Sequence, residues 1–195
     1  MKHAALLAIV VVLTGCTAQT HRLAKVYDAA GGHGTAFAIG IDGDDYVCVT
    51  AQHVTSRPEG TGLASNGFPV EVVKLHPFRD VAILRVPRAA GELTVYRMGE
   101  AELGPAMAVG FGGISITQTE TRGRVISIRS GDNSLSILCD LRVIQGMSGG
   151  PLLQGGKVIG IVVGFPPGIG SQVPHLGLSW YEPISTAMDL LKGAE

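Results

Sequence analysis

An all-β fold, either a sandwich or a pair of barrels, is what this sequence predicts, and three observations carry it. Short segments rich in Val and Ile recur along the chain with turn residues between them. The 195 residues include 28 glycines without a collagen period, which suits many short strands and tight turns. Helical periodicity shows only near the end, over 184–191, directly after Glu182-Pro183.

The first residues stand apart from that fold. Lys2 is a positive start and residues 4–13 are ten apolar residues in a row, a length that suits a secretory segment and is too short to span a bilayer. The segment ends Leu13-Thr14-Gly15-Cys16, which resembles the lipobox of bacterial lipoproteins. That resemblance implies cleavage before Cys16, lipidation of its sulfur and acylation of the new N-terminus, since stable anchoring takes more than one acyl chain. The protein is therefore expected to be exported and lipid-anchored to the bacterial envelope. Thr17 after the cysteine implies the outer membrane, on its periplasmic side, in a Gram-negative host. Residues 17–23 then read as a polar tether with His21 solvated.

Strands are expected at 34–41, 46–50, 68–75, 81–86, 107–111, 115–121, 124–128, 135–141, 158–163 and 177–180. Asn66-Gly67 is the strongest hairpin signal among the turns. From 87 to 103 the strand pattern lapses into Pro, Gly and charge, which marks a crossover between two halves of similar size. Apolar residues make up 46% of the chain and charged ones 16%, which excludes disorder. A net charge of −1 without a basic run gives no reason to expect nucleic acid as a partner. Cys48 and Cys139 fall in separate apolar strands and are expected as two buried free thiols.

The chemistry is sought at Gln145-Gly146-Met147-Ser148-Gly149-Gly150-Pro151. Glycines on both sides let the backbone bend around Ser148, and such a bend can aim successive N–H groups at a developing oxyanion. A plain surface turn has the same composition. A hydrolase elbow also satisfies the Gly-x-Ser-x-Gly pattern, but Pro151 and the β-like sequence after it leave no helix for that fold.

A serine hydroxyl needs a base, and the base an orienting acid. Among the histidines, His53 ends the apolar run 47–51 where a strand meets a small-residue turn. His33 reads as a loop residue, His76-Pro77 as a turn, and His175 as a cleft residue with no partner pattern. Asp80 leads Val81-Ala82-Ile83-Leu84, which places its carboxylate at the mouth of a buried strand, where desolvation strengthens a bond to the imidazole. Asp42, Asp44 and Asp45 read as solvated hairpin acids and Asp140 as structural.

Thr50-Ala51-Gln52-His53, Asp80-Val81-Ala82-Ile83-Leu84 and 146–152 together resemble the three signature segments of trypsin-like (chymotrypsin-fold) serine proteases, in the family's His, Asp, Ser order. The likeness is closest to the protease domain of the bacterial HtrA/DegP family and extends over about residues 26–191. Gly34-Thr35-Ala36-Phe37, the passage 98–110, and Gly177-Leu178-Ser179 with Pro183-Ile184 contribute to it. The resemblance implies two six-stranded antiparallel β-barrels with a short C-terminal helix. The expected organisation is a lipoprotein signal peptide over 1–15, a lipidated tether over 16–25, one barrel over 26–97 and a second with the terminal helix over 98–195. It further implies a serine endopeptidase acting on envelope or extracellular proteins, with His53, Asp80 and Ser148 catalytic and the N–H groups of Gly146 and Ser148 as oxyanion hole.

The substrate pocket would be built by 142–145 and 162–165, with Arg142, Gln145, Val163 and Phe165 as its named members. Arg142 stands about where trypsin-like pockets carry an acid, which disfavours a basic residue before the scissile bond. An apolar residue of small or medium size is expected there, or an acidic one if Arg142 points inward. No cofactor or metal is required, and no His/Cys cluster has metal spacing. Neither a PDZ module nor an activation peptide is expected, and a monomer is.

Two departures from the family pattern stand out. Gln52 replaces a small residue beside the histidine, and Met147 replaces Asn or Asp. They support the alternative of a catalytically inactive, protease-like lipoprotein that binds peptides or a partner protein.

Overall fold

The computed structural model describes residues 20–27, 31–55, 63–113, 117–131, 134–164 and 178–193. Cys16, Phe165, His175 and the signal peptide lie outside the described residues.

Two closed antiparallel barrels of six strands each form the molecule, as the sequence predicts. The first contains β1 (Ala24–Tyr27), β2 (His33–Asp42), β3 (Asp45–Thr50), β4 (Leu63–Ser65), β5 (Phe68–Leu75) and β6 (Ala82–Pro87), in the closed order β1-β2-β3-β6-β5-β4. The second contains β7 (Gly104–Gly110), β8 (Thr119–Gly131), β9 (Ser134–Cys139), β10 (Pro151–Gln154), β11 (Lys157–Gly164) and β12 (Ser179–Pro183), in the order β10-β11-β12-β9-β8-β7. One helical turn, α1 (Gln52–Thr55), follows β3, and the C-terminal helix α2 (Ile184–Lys192) follows β12. The chain crosses between barrels over 88–103, where a single 3-10 turn, Arg88–Ala90, is the only regular element.

Alternation along the strands explains why several read as unbroken apolar runs. In β3, Cys48 packs with Ala36, Ala38 and Leu84 inside the first barrel, while Val49 packs with Phe37 and Ile83 between the barrels. In β11, Ile159 and Val162 point into the second barrel with Leu152 and Tyr181, and Val158 and Ile161 face the junction. Strands buried on both faces have no polar side to show. The junction core also holds Ile184 and Ala187 of α2, so the helix seals the cleft between barrels at one end. Gly193 closes that helix in the left-handed region at φ 75°, its N–H on the Asp189 and Leu190 carbonyls. Lys74 Nζ donates to the Leu190 and Leu191 carbonyls at 3.1 and 3.3 Å.

The Asn66-Gly67 signal is realised as the β4–β5 hairpin, with φ of 48° and 83° at the two residues. Three expectations are corrected. First, β1 begins at Ala24, inside the stretch read as tether, and His21 is buried rather than solvated, its Nδ1 2.9 Å from the Tyr96 hydroxyl. Second, His33 opens β2 and is no loop residue. Third, the expected break between 121 and 124 is not there, because β8 runs unbroken through Arg122-Gly123; residues 115 and 116 lie outside the described residues. A Cβ on Gly123 would fall 2.7 Å from the Asp140 carbonyl oxygen, so this glycine permits a close approach and makes no turn.

Candidate active site

His53 owes its place to the end of β3. Thr50 is fully buried and its hydroxyl donates to the Thr35 carbonyl at 2.7 Å, fixing the strand just before the chain turns into α1. Val54 is buried beneath that turn, which leaves His53 on its outer side. Asp80 precedes β6, and Val81 behind it is fully buried, so the carboxylate sits at the strand mouth. Asp80 Oδ1 accepts the His53 backbone N–H at 2.8 Å, and Oδ2 lies 2.6 Å from His53 Nδ1. This two-point grip sets the Nδ1–H tautomer of the neutral ring and leaves Nε2 as an acceptor. The pair is wetter than the sequence implied, with the His53 side chain 48% and the Asp80 side chain 26% exposed.

Ser148 lies in the turn 145–150, which belongs to the second barrel and is fastened to the first. The Ser148 carbonyl accepts the Thr35 N–H at 2.8 Å, and the Thr35 hydroxyl donates to the Gly146 carbonyl at 2.9 Å while accepting the Phe111 N–H at 2.9 Å. Gly149, at φ 83°, is where glycine is required. A Cβ there would stand 2.1 Å from both the Thr35 carbonyl oxygen and the Thr50 hydroxyl, and 2.9 Å from the Ala51 nitrogen. The Ser148-Gly149 backbone is thus wedged against residues 50–51, two positions before His53. The turn that carries Ser148 therefore packs beside the end of β3 that leads to His53, whose imidazole Asp80 holds. Among the described residues, the Ser148 hydroxyl makes no hydrogen bond to His53 in this conformation.

Gly146 has φ 93°, and a Cβ on it would meet the Phe111 carbonyl oxygen at 2.3 Å and His33 Nε2 at 2.4 Å. Among the described residues, the N–H groups of Gly146 and Ser148 donate to no protein acceptor. Met147 between them is fully buried in the second barrel's core, with Ala108, Leu152 and Tyr181. The departure at 147 is therefore an apolar anchor, and its side chain takes no part in the cleft.

Of the expected pocket residues, Arg142 and Gln145 are exposed and Val163 is half-buried near the end of β11. The wall behind Arg142 is fixed by the Ser179 hydroxyl donating to the Leu141 carbonyl at 2.7 Å. Asp140 is structural, its Oδ1 accepting the Arg124 N–H. Cys48 and Cys139 are buried free thiols, one in each barrel. Among the described residues, no group of His, Cys, Asp and Glu is arranged to hold a metal ion.

Sequence reasoning missed the parts that fasten the site. His76 Nδ1 accepts the N–H groups of Phe78 and Arg79 at 3.2 and 3.1 Å, shaping the loop before Asp80. Arg79 forms an ion pair with Glu182 of β12, their side chains only 15% and 8% exposed. Burial and the Arg79 charge lower the His76 pKa, with Glu182 opposing them. Nothing local in the sequence signals the Arg79–Glu182 pair, whose members lie 103 residues apart.

Residues 34–161 match the family described as "Trypsin-like peptidase domain". An uncharacterized peptidase of Corynebacterium glutamicum (strain R) is 26% identical over 153 residues, covering 71% of this chain and 54% of that protein. The chain thus spans about half the length of the curated relatives it matches. Among solved structures, the Rv3671c protease of M. tuberculosis in its active form superposes with a TM-score of 0.67 at 23% identity, covering 88% of this chain and 79% of that one. The HtrA-type protease AlgW with a tripeptide gives a TM-score of 0.69 at 21% identity, covering 88% of this chain and 59% of that one. These likenesses are of fold.

Proposed function

The chain belongs to the trypsin-like peptidase domain family, and from that premise we propose that it is a serine endopeptidase cleaving envelope or extracellular proteins. The observation that carries the reading is the grip of Asp80 on His53 at two atoms, beside the turn that holds Ser148. Ser148 Oγ attacks the peptide carbonyl while His53 Nε2 takes its proton. The imidazolium is stabilised by Asp80 and later protonates the leaving amine. The N–H groups of Gly146 and Ser148 hold the oxyanion, each donor of this kind being worth about 3 kcal/mol. Water then repeats the sequence on the acyl-enzyme.

In the same reading Arg142, Gln145, Val163 and Phe165 line the pocket for the residue before the scissile bond, which is apolar or acidic and not basic. Cys16 carries the lipid that tethers a monomer to the envelope, its substrates being proteins or peptides and not nucleic acid. Hydrolysis of a quenched-fluorescent peptide library by the purified protein, lost in Ser148→Ala, supports the proposal; equal turnover by both proteins contradicts it.

A second reading, an inactive peptide-binding lipoprotein, is favoured by one observation, the unmade bond between Ser148 and His53. Catalytic hydrogen bonds are often long before substrate binds, which leaves the first reading ahead.

A further inference from the structure

We propose that Gln52 is a positioning residue that holds the Asp80 loop in register with His53, an inference that rests on the serine peptidase reading and deepens it. Position 52 departs from the pattern this chain resembles, where a small residue precedes the histidine. The structure gives the larger side chain a task. The half-buried Gln52 brings one end of its amide to 2.8 Å from the His76 carbonyl oxygen and 2.9 Å from that of Arg79, and that end is assigned as the nitrogen because two carbonyls face it. Only the –NH2 end of the amide can donate to two acceptors, and that fixes its orientation.

The loop so held is the one that delivers the carboxylate. Its ends are joined by the His76 N–H on the Val81 carbonyl at 3.0 Å, and the Val81 N–H returns to the Arg79 carbonyl at 2.8 Å. Two neighbours on α1 therefore hold two neighbours on the loop: Gln52 takes the Arg79 carbonyl, and His53 takes the Asp80 carboxylate. The loop's far side is pinned to the second barrel by the Arg79–Glu182 pair. With both flanks of Asp80 fixed, the carboxylate keeps both oxygens on His53 although the pair is open to water. Such supporting contacts matter because small misplacements of catalytic groups cost large factors in rate.

The test uses the full chain with Gln52→Met, which keeps the volume and removes both donors, and Gln52→Ala, which restores a small residue. Each is made in the wild-type and the Ser148→Ala background. The downfield proton resonance of His53 Nδ1–H, read by NMR in Ser148→Ala protein, reports the His53–Asp80 bond without turnover. We expect it to move upfield or broaden into exchange in both variants, and kcat on a fluorogenic peptide to fall about 10-fold with KM within about twofold. An unchanged resonance and unchanged kcat, even with a lowered melting temperature, overturn the inference by making Gln52 merely structural. Wild-type protein without turnover, whose resonance still responds to Gln52→Met, retains the positioning role and rejects the peptidase reading instead.

Discussion

Arg79, one residue ahead of Asp80, donates from both Nε and Nη2 to a single carboxylate oxygen of Glu182 on the opposite barrel, the Nε bond being 2.8 Å long. The acid of the candidate triad is thus held by the strand that leads into the C-terminal helix. Removing one partner of a buried ion pair is costly because the other charge stays out of water. Glu182→Ala is expected to lower unfolding stability by about 3 kcal/mol, and Glu182→Gln by less, since its amide oxygen still accepts. Urea unfolding measures both. A loss under about 1 kcal/mol for Glu182→Ala would place the pair among inconsequential surface bridges.

Thr35 joins the serine turn to the first barrel by hydroxyl and backbone together. Thr35→Val keeps the shape and leaves the Gly146 carbonyl and the Phe111 N–H without that partner, at about 1–3 kcal/mol for each buried group. Thr35→Ser keeps the hydroxyl and is expected to retain most of the stability. Denaturant midpoints for the two variants decide it, and a larger loss for Thr35→Ser than for Thr35→Val would show that the methyl group, not the hydroxyl, is what counts.

The Met147 side chain anchors the same turn through burial in the second barrel's core. Met147→Leu, nearly equal in volume, is expected to cost less than about 1.5 kcal/mol. Met147→Ala opens a cavity and is expected to cost about 2–5 kcal/mol. Differential scanning calorimetry of both proteins is the check. A polar Met147→Asn that proves as stable as wild type would contradict the apolar anchor.

Acid should weaken the fold through two histidines. Burial lowers the pKa of His21 and, aided by Arg79, that of His76 below the ordinary 6.5. The unfolded chain then binds more protons than the folded one below pH 6.5, so stability is full above that value and is lost as pH falls through the folded pKa values. Urea midpoints from pH 8 to 5 should decline on the acid side. His76→Asn, whose Oδ1 can replace Nδ1 as acceptor without titrating, should flatten that decline. An unchanged slope would remove His76 from the account.

What the sequence made legible follows a physical division. Strands buried on both faces, such as β3 and β6, announce themselves as apolar runs, and the serine turn and the histidine turn sit directly beside such runs. The short strands β1 and β4, of 4 and 3 residues, show no pattern of their own and exist because they close barrels. The expected strands stop short of Gly123 because the residue that needs its missing Cβ, Asp140, is distant in sequence. Gln52 and Met147 read as defects for the same reason. Their partners, the carbonyls of the Asp80 loop and the core of the second barrel, are assembled only by folding.

The central claim is that Ser148 is a nucleophile activated by His53 and Asp80. Its most direct test is incubation of the native full chain with a fluorophosphonate, followed by intact mass and peptide mapping. The account predicts one adduct per chain, located on Ser148, and its loss in Ser148→Ala and in His53→Ala. Wild-type protein that folds and remains unmodified, or an adduct that persists in Ser148→Ala, would contradict it.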